Sequence, residues 1–372
     1  MSDLSKPQTG MTLPQPFFTS PEMYNSEREK LFFRHWFCVG RASELTQPGS
    51  FILADVAGEQ VICTLDDEGR LRGFYNNCRH RGTRLVTESS GEFSSCKIQC
   101  PYHRWTYSCR GDLVTAPRAD EDPEFRVEEW PLQTVNIASW QGFLLVNLSE
   151  QPRPLVDVFS SFINRLDPWQ TDSLLPVHTE VYELTTNWKL VLENFNECYH
   201  CSSIHPGLAQ LSPPRSATND FSDGLLLGGP MELAKESMTM TGRRCCDAID
   251  TLSAEDCRRT YYYTLFPNLL LAMHPDFVLA WRLHPIAPDR TRIICQWLFP
   301  PDRIQLPEFD ASGAIEFWEM TNRQDWDICQ ENFDGIRSRG YQSGPYMANE
   351  VVLKMLDQRI LQALEIEPTP PR

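Results

Sequence analysis

Two short Cys/His pairs constrain this chain more than anything else in it. Cys78-Arg-His80 and Cys100-Pro-Tyr-His103 flank residues 81–99, a stretch rich in β-formers and turn residues. Two thiolates and two imidazoles carried by neighbouring loops can hold a [2Fe–2S] cluster, the cysteines on one iron and the histidines on the other. Neutral imidazoles in place of two thiolates lower the negative charge on such a cluster and raise its reduction potential. Gly82 and Pro101 suit tight loops whose amides turn toward the bridging sulfides. A Cys2His2 zinc site would use the same ligand types, although Cys-x-His spacing is rarer there than Cys-x2-Cys.

The surrounding text predicts an α+β protein in which the pairs sit on a small antiparallel β domain. Short strand-like runs at residues 50–54, 60–65, 71–75, 96–99 and 143–147 are separated by turn sequences. Apolar positions Met23, Leu31, Phe32 and Trp36 predict a helix over 20–36. A Pro-containing stretch at 149–154 is the expected linker. Beyond it, helices are expected at 155–166, 188–199 and 311–332, and strands at 260–272, 277–285 and 291–299. The division expected is a helical segment 1–36 packing on the catalytic domain, a cluster domain 37–150 and a catalytic domain 151–372, helix on antiparallel sheet.

A net charge of -16 argues against nucleic acid or an anionic membrane as partner, since both reward clustered Lys/Arg. No 18-residue apolar run and no targeting signal is present, so a cytoplasmic location is expected. Thirteen cysteines, an odd count, fit reduced thiols and metal ligands better than a disulfide framework.

A second constellation follows Asn187-Trp-Lys: Glu197-Cys-Tyr-His200, then His205-Pro206. Two histidines five apart can face one metal if a helix ends between them, and proline ends helices. Imidazoles suit ferrous iron, and the usual oxygen-activating set adds one carboxylate while leaving positions open. Arg323-Gln-Asp325-Trp-Asp327-Ile offers two carboxylates. They project about 200° apart on a helix, so only one can face the iron.

Cys78-Arg-His-Arg-Gly-Thr-Arg-Leu85 and Cys100-Pro-Tyr-His-Arg-Trp-Thr-Tyr107 resemble the two cluster loops of Rieske non-haem iron oxygenase alpha subunits. The loops stand slightly further apart here than is common in that family, which would lengthen the hairpin between them. The resemblance runs from about residue 20 to about residue 360 and includes Gly335-Ile-Arg-Ser-Arg-Gly-Tyr341. It implies a helix-grip-like catalytic domain, with Cys78, His80, Cys100 and His103 on the [2Fe–2S] cluster and His200, His205 and Asp325 on Fe(II). Asp325 is preferred because the family's ligand aspartate precedes an aliphatic residue, here Ile328, by three. Trp105 and Tyr107 would shield the cluster.

The family's acidic residue three before the first iron histidine bridges the iron to the cluster of a neighbouring subunit. Here it is Glu197, where aspartate is usual, a departure that resembles the quaternary-ammonium group: the glycine betaine, carnitine, choline and stachydrine monooxygenases. The resemblance therefore implies the oxygenase component of a two-component monooxygenase, O2-dependent N-demethylation of a small cationic substrate, and a homotrimer. NAD(P)H and flavin would act only through a separate flavin/iron–sulfur reductase, since no phosphate-cradling glycine motif follows a strand. An aromatic-ring dioxygenase or O-demethylase of the same family is the alternative. A trimethylammonium group calls for aromatic walls, for which Tyr261, Tyr262, Tyr263, Phe266, Phe277, Trp281 and Trp297 are the candidates.

Overall fold

The chain divides into two units, Phe33–Asp157 and, on either side of it in sequence, Met1–Phe32 with Val158–Arg372. The structure, a computed structural model, describes residues 6–222 and 224–369.

In the Phe33–Asp157 unit, seven strands form one antiparallel sheet: β1 (Phe37–Arg41), β2 (Ser50–Val56), β3 (Glu59–Leu65), β4 (Leu71–Tyr75), β5 (Ser90–Glu92), β9 (Thr134–Trp140) and β10 (Phe143–Asn147). Their order is β1-β10-β9-β4-β3-β2-β5. A smaller sheet joins β6 (Lys97–Gln99), β7 (Thr106–Ser108) and β8 (Leu113–Thr115). Phe51, Ile62, Phe74, Ile98, Tyr107 and Leu113 fill one apolar cluster that includes Cys78 and Cys100. The two Cys/His loops are thus seated on the unit's core.

In the other unit, β11 (Leu175–Leu184), β12 (Phe221–Ser222), β13 (Leu226–Glu232), β14 (Arg259–Leu265), β15 (Leu269–Met273), β16 (Val278–Ala287) and β17 (Arg290–Phe299) form a second antiparallel sheet, ordered β11-β17-β16-β15-β14-β13-β12. The segment 260–272 is therefore two strands and not one. The chain reverses at Phe266-Pro267-Asn268 and Leu265 pairs with Leu269, as a proline that cannot donate to a ladder favours.

Helix Ser312–Ile336 buries Ala314, Phe317, Trp318, Thr321, Asn322, Trp326, Cys329 and Phe333, one stripe at helical period. It lies on the sheet, with Trp281 Nε1 donating to Asn322 Oδ1 at 3.2 Å. Helix Trp188–Phe195 starts at Asn187, whose side chain accepts from Lys189 N–H. The helix ends at Phe195, short of the expected 199.

The N-terminal helix Pro21–Glu27 and its π-helical continuation Arg28–Phe32 belong to this unit, and Trp36 lies outside them. Glu27, fully buried, accepts from Lys189 Nζ at 2.5 Å and Trp188 Nε1 at 2.8 Å. Residues 155–166 depart further from expectation: only Leu155–Val158 is helical. Phe159, Phe162 and Leu166 are buried at helical spacing, but on successive three-residue turns closed by Phe162 N–H to Phe159 O and Arg165 N–H to Phe162 O. Ser160, Ser161 and Asn164 favour such turns over a helix interior.

Candidate metal centres

The first cluster loop is shaped by its own backbone and by one asparagine. Cys78 N–H donates to Thr83 O and Gly82 N–H to Cys78 O, a turn that needs the positive φ of Gly82 (75°). Buried Asn76 accepts from Leu85 and Val86 N–H at 3.0 Å each and donates to Val86 O at 2.8 Å. The second loop is the β6–β7 turn, closed by Cys100 N–H to Trp105 O at 2.8 Å.

These loops bring Cys78 beside Cys100 and His80 beside His103, whose ring centroids are 4.7 Å apart. Trp105 stacks on His80 at 4.8 Å and 8°. Tyr107 Oη lies 3.3 Å from Cys78 Sγ and accepts from Arg79 N–H at 3.1 Å. Burial and, less strongly, the adjacent Cys100 thiol raise the Cys78 pKa, against the Tyr107 hydroxyl, which lowers it. Burial, then His103 and Arg81, lower that of His80, favouring the neutral imidazole that a metal requires. Among the described residues, the groups whose ligand atoms all lie within 4.8 Å of one another are His200–His205–Asp325 and His178–Glu180–Glu319. The four loop residues form no such group. Paired sulfurs beside paired imidazoles fit a two-iron cluster and do not fit one zinc ion.

The second centre gathers three elements. His200 sits in the loop after helix Trp188–Phe195, His205 immediately before helix Pro206–Leu211, and Asp325 midway along Ser312–Ile336. Pro206 opens a new helix there rather than ending the earlier one. Asp325 Oδ1 lies 2.8 Å from His205 Nε2 and 3.4 Å from His200 Nε2. Asp327 is exposed on another face of the helix. Each imidazole is held from behind: Glu197 contacts His200 Nδ1, and Gln324 Oε1 lies 2.7 Å from His205 Nδ1. Both rings are thereby set to present Nε2 toward Asp325, the arrangement that outer partners impose on metal-binding histidines.

Burial lowers the His200 pKa, but the Asp325 and Glu197 carboxylates outweigh it and push the ring up to about 9. Burial raises that of Asp325, and the two histidines more than reverse this. The set can hold a divalent cation, and its two imidazoles and one carboxylate are the ligand chemistry of non-haem Fe(II).

The group opens into a cavity of about 120 Å³. Of the seven aromatic candidates, Tyr262 and Trp281 line it, together with Phe195, Trp318 and Trp326, which sequence reasoning passed over. Trp318 is seven residues, two helical turns, before Asp325, and that same-face spacing was the available signal. Gln324 had no comparable mark. Glu197 also accepts from the backbone of Tyr199 and from His200 N–H.

The expectation of reduced thiols fails at one pair. Cys198 and Cys201 are joined by a disulfide, with Cα atoms 4.9 Å apart. The loop between helices folds back over two residues and brings them within bridging range, which a count of cysteines does not reveal.

Two family matches cover these centres. Residues 35–136 match the Rieske [2Fe-2S] domain, and residues 171–366 match the ring hydroxylating alpha subunit (catalytic domain). The chain belongs to the ring-hydroxylating alpha-subunit family, with a [2Fe–2S] cluster and a mononuclear iron as its cofactors. The glycine betaine monooxygenase oxygenase subunit of Chromohalobacter salexigens is 29% identical to it over 92% of this chain and 83% of its own length. The carnitine monooxygenase oxygenase subunit of Acinetobacter baumannii is 34% identical over 55% of each. The crystal structure of the quaternary ammonium Rieske monooxygenase CntA shares the fold, with a TM-score of 0.82 over 98% of both chains at 24% identity.

Proposed function

We infer that this chain is the oxygenase component of a two-component monooxygenase that hydroxylates an N-methyl group of a small quaternary ammonium compound, of the glycine betaine kind. The observation that carries this reading is the aromatic wall beside His200, His205 and Asp325. Phe195, Tyr262, Trp318 and Trp281 form a closed circuit of ring contacts, with successive centroids 6.1, 6.3, 5.6 and 5.5 Å apart. All four line the cavity that holds the three metal-binding side chains. A trimethylammonium group can neither donate nor accept a conventional hydrogen bond, so aromatic faces are its natural walls, each worth roughly 0.5–2 kcal/mol. A cavity of about 120 Å³ is near the size that holds benzene, roughly 150 Å³, and suits a compact substrate. The relatives named for glycine betaine and carnitine support the same class.

In this reading Cys78 and Cys100 hold one cluster iron, His80 and His103 the other, and His200, His205 and Asp325 hold Fe(II). The bound metals supply electron storage and O2 activation for attack on a C–H bond. The aromatic walls hold the cation with one methyl group toward the triad and keep bulk water from it. Glu197 and Gln324 fix both iron-binding rings through their Nδ1 atoms. Glu197 also links this site to the cluster of the next subunit in a homotrimer. Electrons come from NAD(P)H through a separate flavin/iron–sulfur reductase, and the protein works in the cytoplasm. Each turnover consumes O2, two electrons and two protons, and yields a carbinol and water. The carbinol then releases formaldehyde and leaves the demethylated amine.

The test is turnover of the metal-loaded protein with a reductase against glycine betaine, carnitine, stachydrine and a panel of aromatic compounds. Formaldehyde stoichiometric with consumption of an ammonium substrate is expected. Oxidation confined to the aromatic panel would refute the assignment.

A further inference from the structure

Cys198 and Cys201 are the bridged pair among the described cysteines. This pair has a particular place. It flanks His200, follows Glu197 directly, and lines the same cavity as His200, His205 and Asp325. Residues 196–200 lie outside any helix, between Trp188–Phe195 and Cys201–Ile204. Asn196 ties the start of that loop to Leu192 O and Thr264 Oγ1, at 2.7 and 2.8 Å, and His200 O ties its end by accepting from Ser203 and Ile204 N–H. Between these anchors Tyr199 and His200 N–H and the His200 ring meet the Glu197 carboxylate, and Cys201 N–H makes a long contact of 3.4 Å to Cys198 O. The disulfide anchors this loop to Cys201, which is buried.

We propose that Cys198 and Cys201 form a redox modification site, a dithiol that peroxide converts to a disulfide, and that the bridge clamps Glu197 and His200 in the placement that retains iron. This rests on the assignment of iron to His200, His205 and Asp325. The chemistry balances. The two thiols give up two electrons and two protons and form the S–S bond; the peroxide O–O bond breaks and leaves as two waters. The oxidant is local, because an oxygenase that passes two electrons and two protons to O2 without hydroxylating a substrate makes hydrogen peroxide beside these sulfurs. Exchange with a dithiol reductant reverses the step, and bridges in reducing compartments are commonly of this reversible kind. Unproductive turnover would thereby tighten the hold on the metal at the moment when oxidation threatens it.

The holoenzyme is divided into samples treated with dithiothreitol or with hydrogen peroxide, alkylated, digested and mapped by mass spectrometry. Parallel samples are mixed with a ferrous chelator and iron release is timed. The expected map shows two alkylated thiols after reduction and a Cys198–Cys201 cross-link after peroxide. Groups that orient a metal-binding imidazole commonly change metal affinity by 10–100-fold, so iron should leave the reduced protein about tenfold faster. Cys198→Ser should release iron at the faster rate under both treatments. Free thiols at both positions after peroxide would overturn the proposal, and so would equal release rates from the two wild-type samples. A protein that takes up no mononuclear iron in either state would overturn the iron assignment itself, and the clamp with it; the cross-link map separates that failure from the clamp's own.

Discussion

Gln324 stands behind His205, and replacing it with leucine isolates what that support does for iron binding. His205 is 2% exposed, with Nε2 on Asp325 at 2.8 Å and Nδ1 on Gln324 at 2.7 Å. A metal on Nε2 forces the ring proton onto Nδ1, where Gln324 Oε1 accepts it. In Gln324→Leu that N–H is buried without a partner, at a cost of about 1–3 kcal/mol. The metal-free protein escapes most of the cost, because the neutral ring can shift its proton to Nε2 and donate to Asp325. The penalty therefore falls on binding, and at about 1.4 kcal/mol per tenfold it weakens Fe(II) affinity about 5- to 150-fold. Anaerobic calorimetric titration of metal-free protein measures this directly. Gln324→Glu, which keeps an acceptor in place, should bind at least as tightly as the parent. A leucine variant with a Kd within twofold of the parent would refute the reasoning.

Four further outcomes are expected. Asp325→Asn should lower iron from about three per chain to about two while cluster absorption persists, whereas Asp327→Asn should leave both counts alone; metal analysis decides. Tyr107→Phe removes a hydroxyl 3.3 Å from Cys78 Sγ. If that contact favours the reduced cluster by about 1 kcal/mol, the one-electron potential should fall about 40 mV in a potentiometric titration, and an unchanged potential would contradict the assigned contact. The His200 pKa of about 9 in the metal-free protein means that iron must displace a proton below that pH. Chelator competition should show affinity rising about tenfold per unit from pH 6 to 8 and levelling near 9, not staying flat. Trp318→Leu should weaken binding of glycine betaine about 2- to 30-fold, the worth of one cation–π contact, with both metals retained.

Much of the candidate site was legible because the residue types that bind metals come at characteristic spacings. The pairs Cys78/His80 and Cys100/His103 stand out in two loops, and His200 and His205 in one, whatever the details of helix and strand. That only one of Asp325 and Asp327 can face the metal was readable as geometry, since residues two apart cannot share a helix face; the preference for Asp325 came from the family's spacing to an aliphatic residue, here Ile328. What escaped was set by long-range packing. Trp318 and Gln324 acquire roles only when helix Ser312–Ile336 is laid on the sheet. The turns at residues 159–166 present apolar side chains at helical intervals without a helix, so periodicity alone misread them. The Cys198–Cys201 bridge depends on where the helix after Asn187 stops. It stops at Phe195, and the spacing of apolar residues did not mark that end.

Glu27 and its partners also bear on how the protein is made. Trp188 and Lys189 are synthesised 161 and 162 residues after it. At 5–20 residues per second, the ribosome takes roughly 8–30 s to supply them. Through that interval the first helices wait with a carboxylate that belongs in the interior, while the inserted unit, Phe33–Asp157, has all its strands in hand. A segment made before the inserted unit is thus fixed only after that unit's whole sequence has been made.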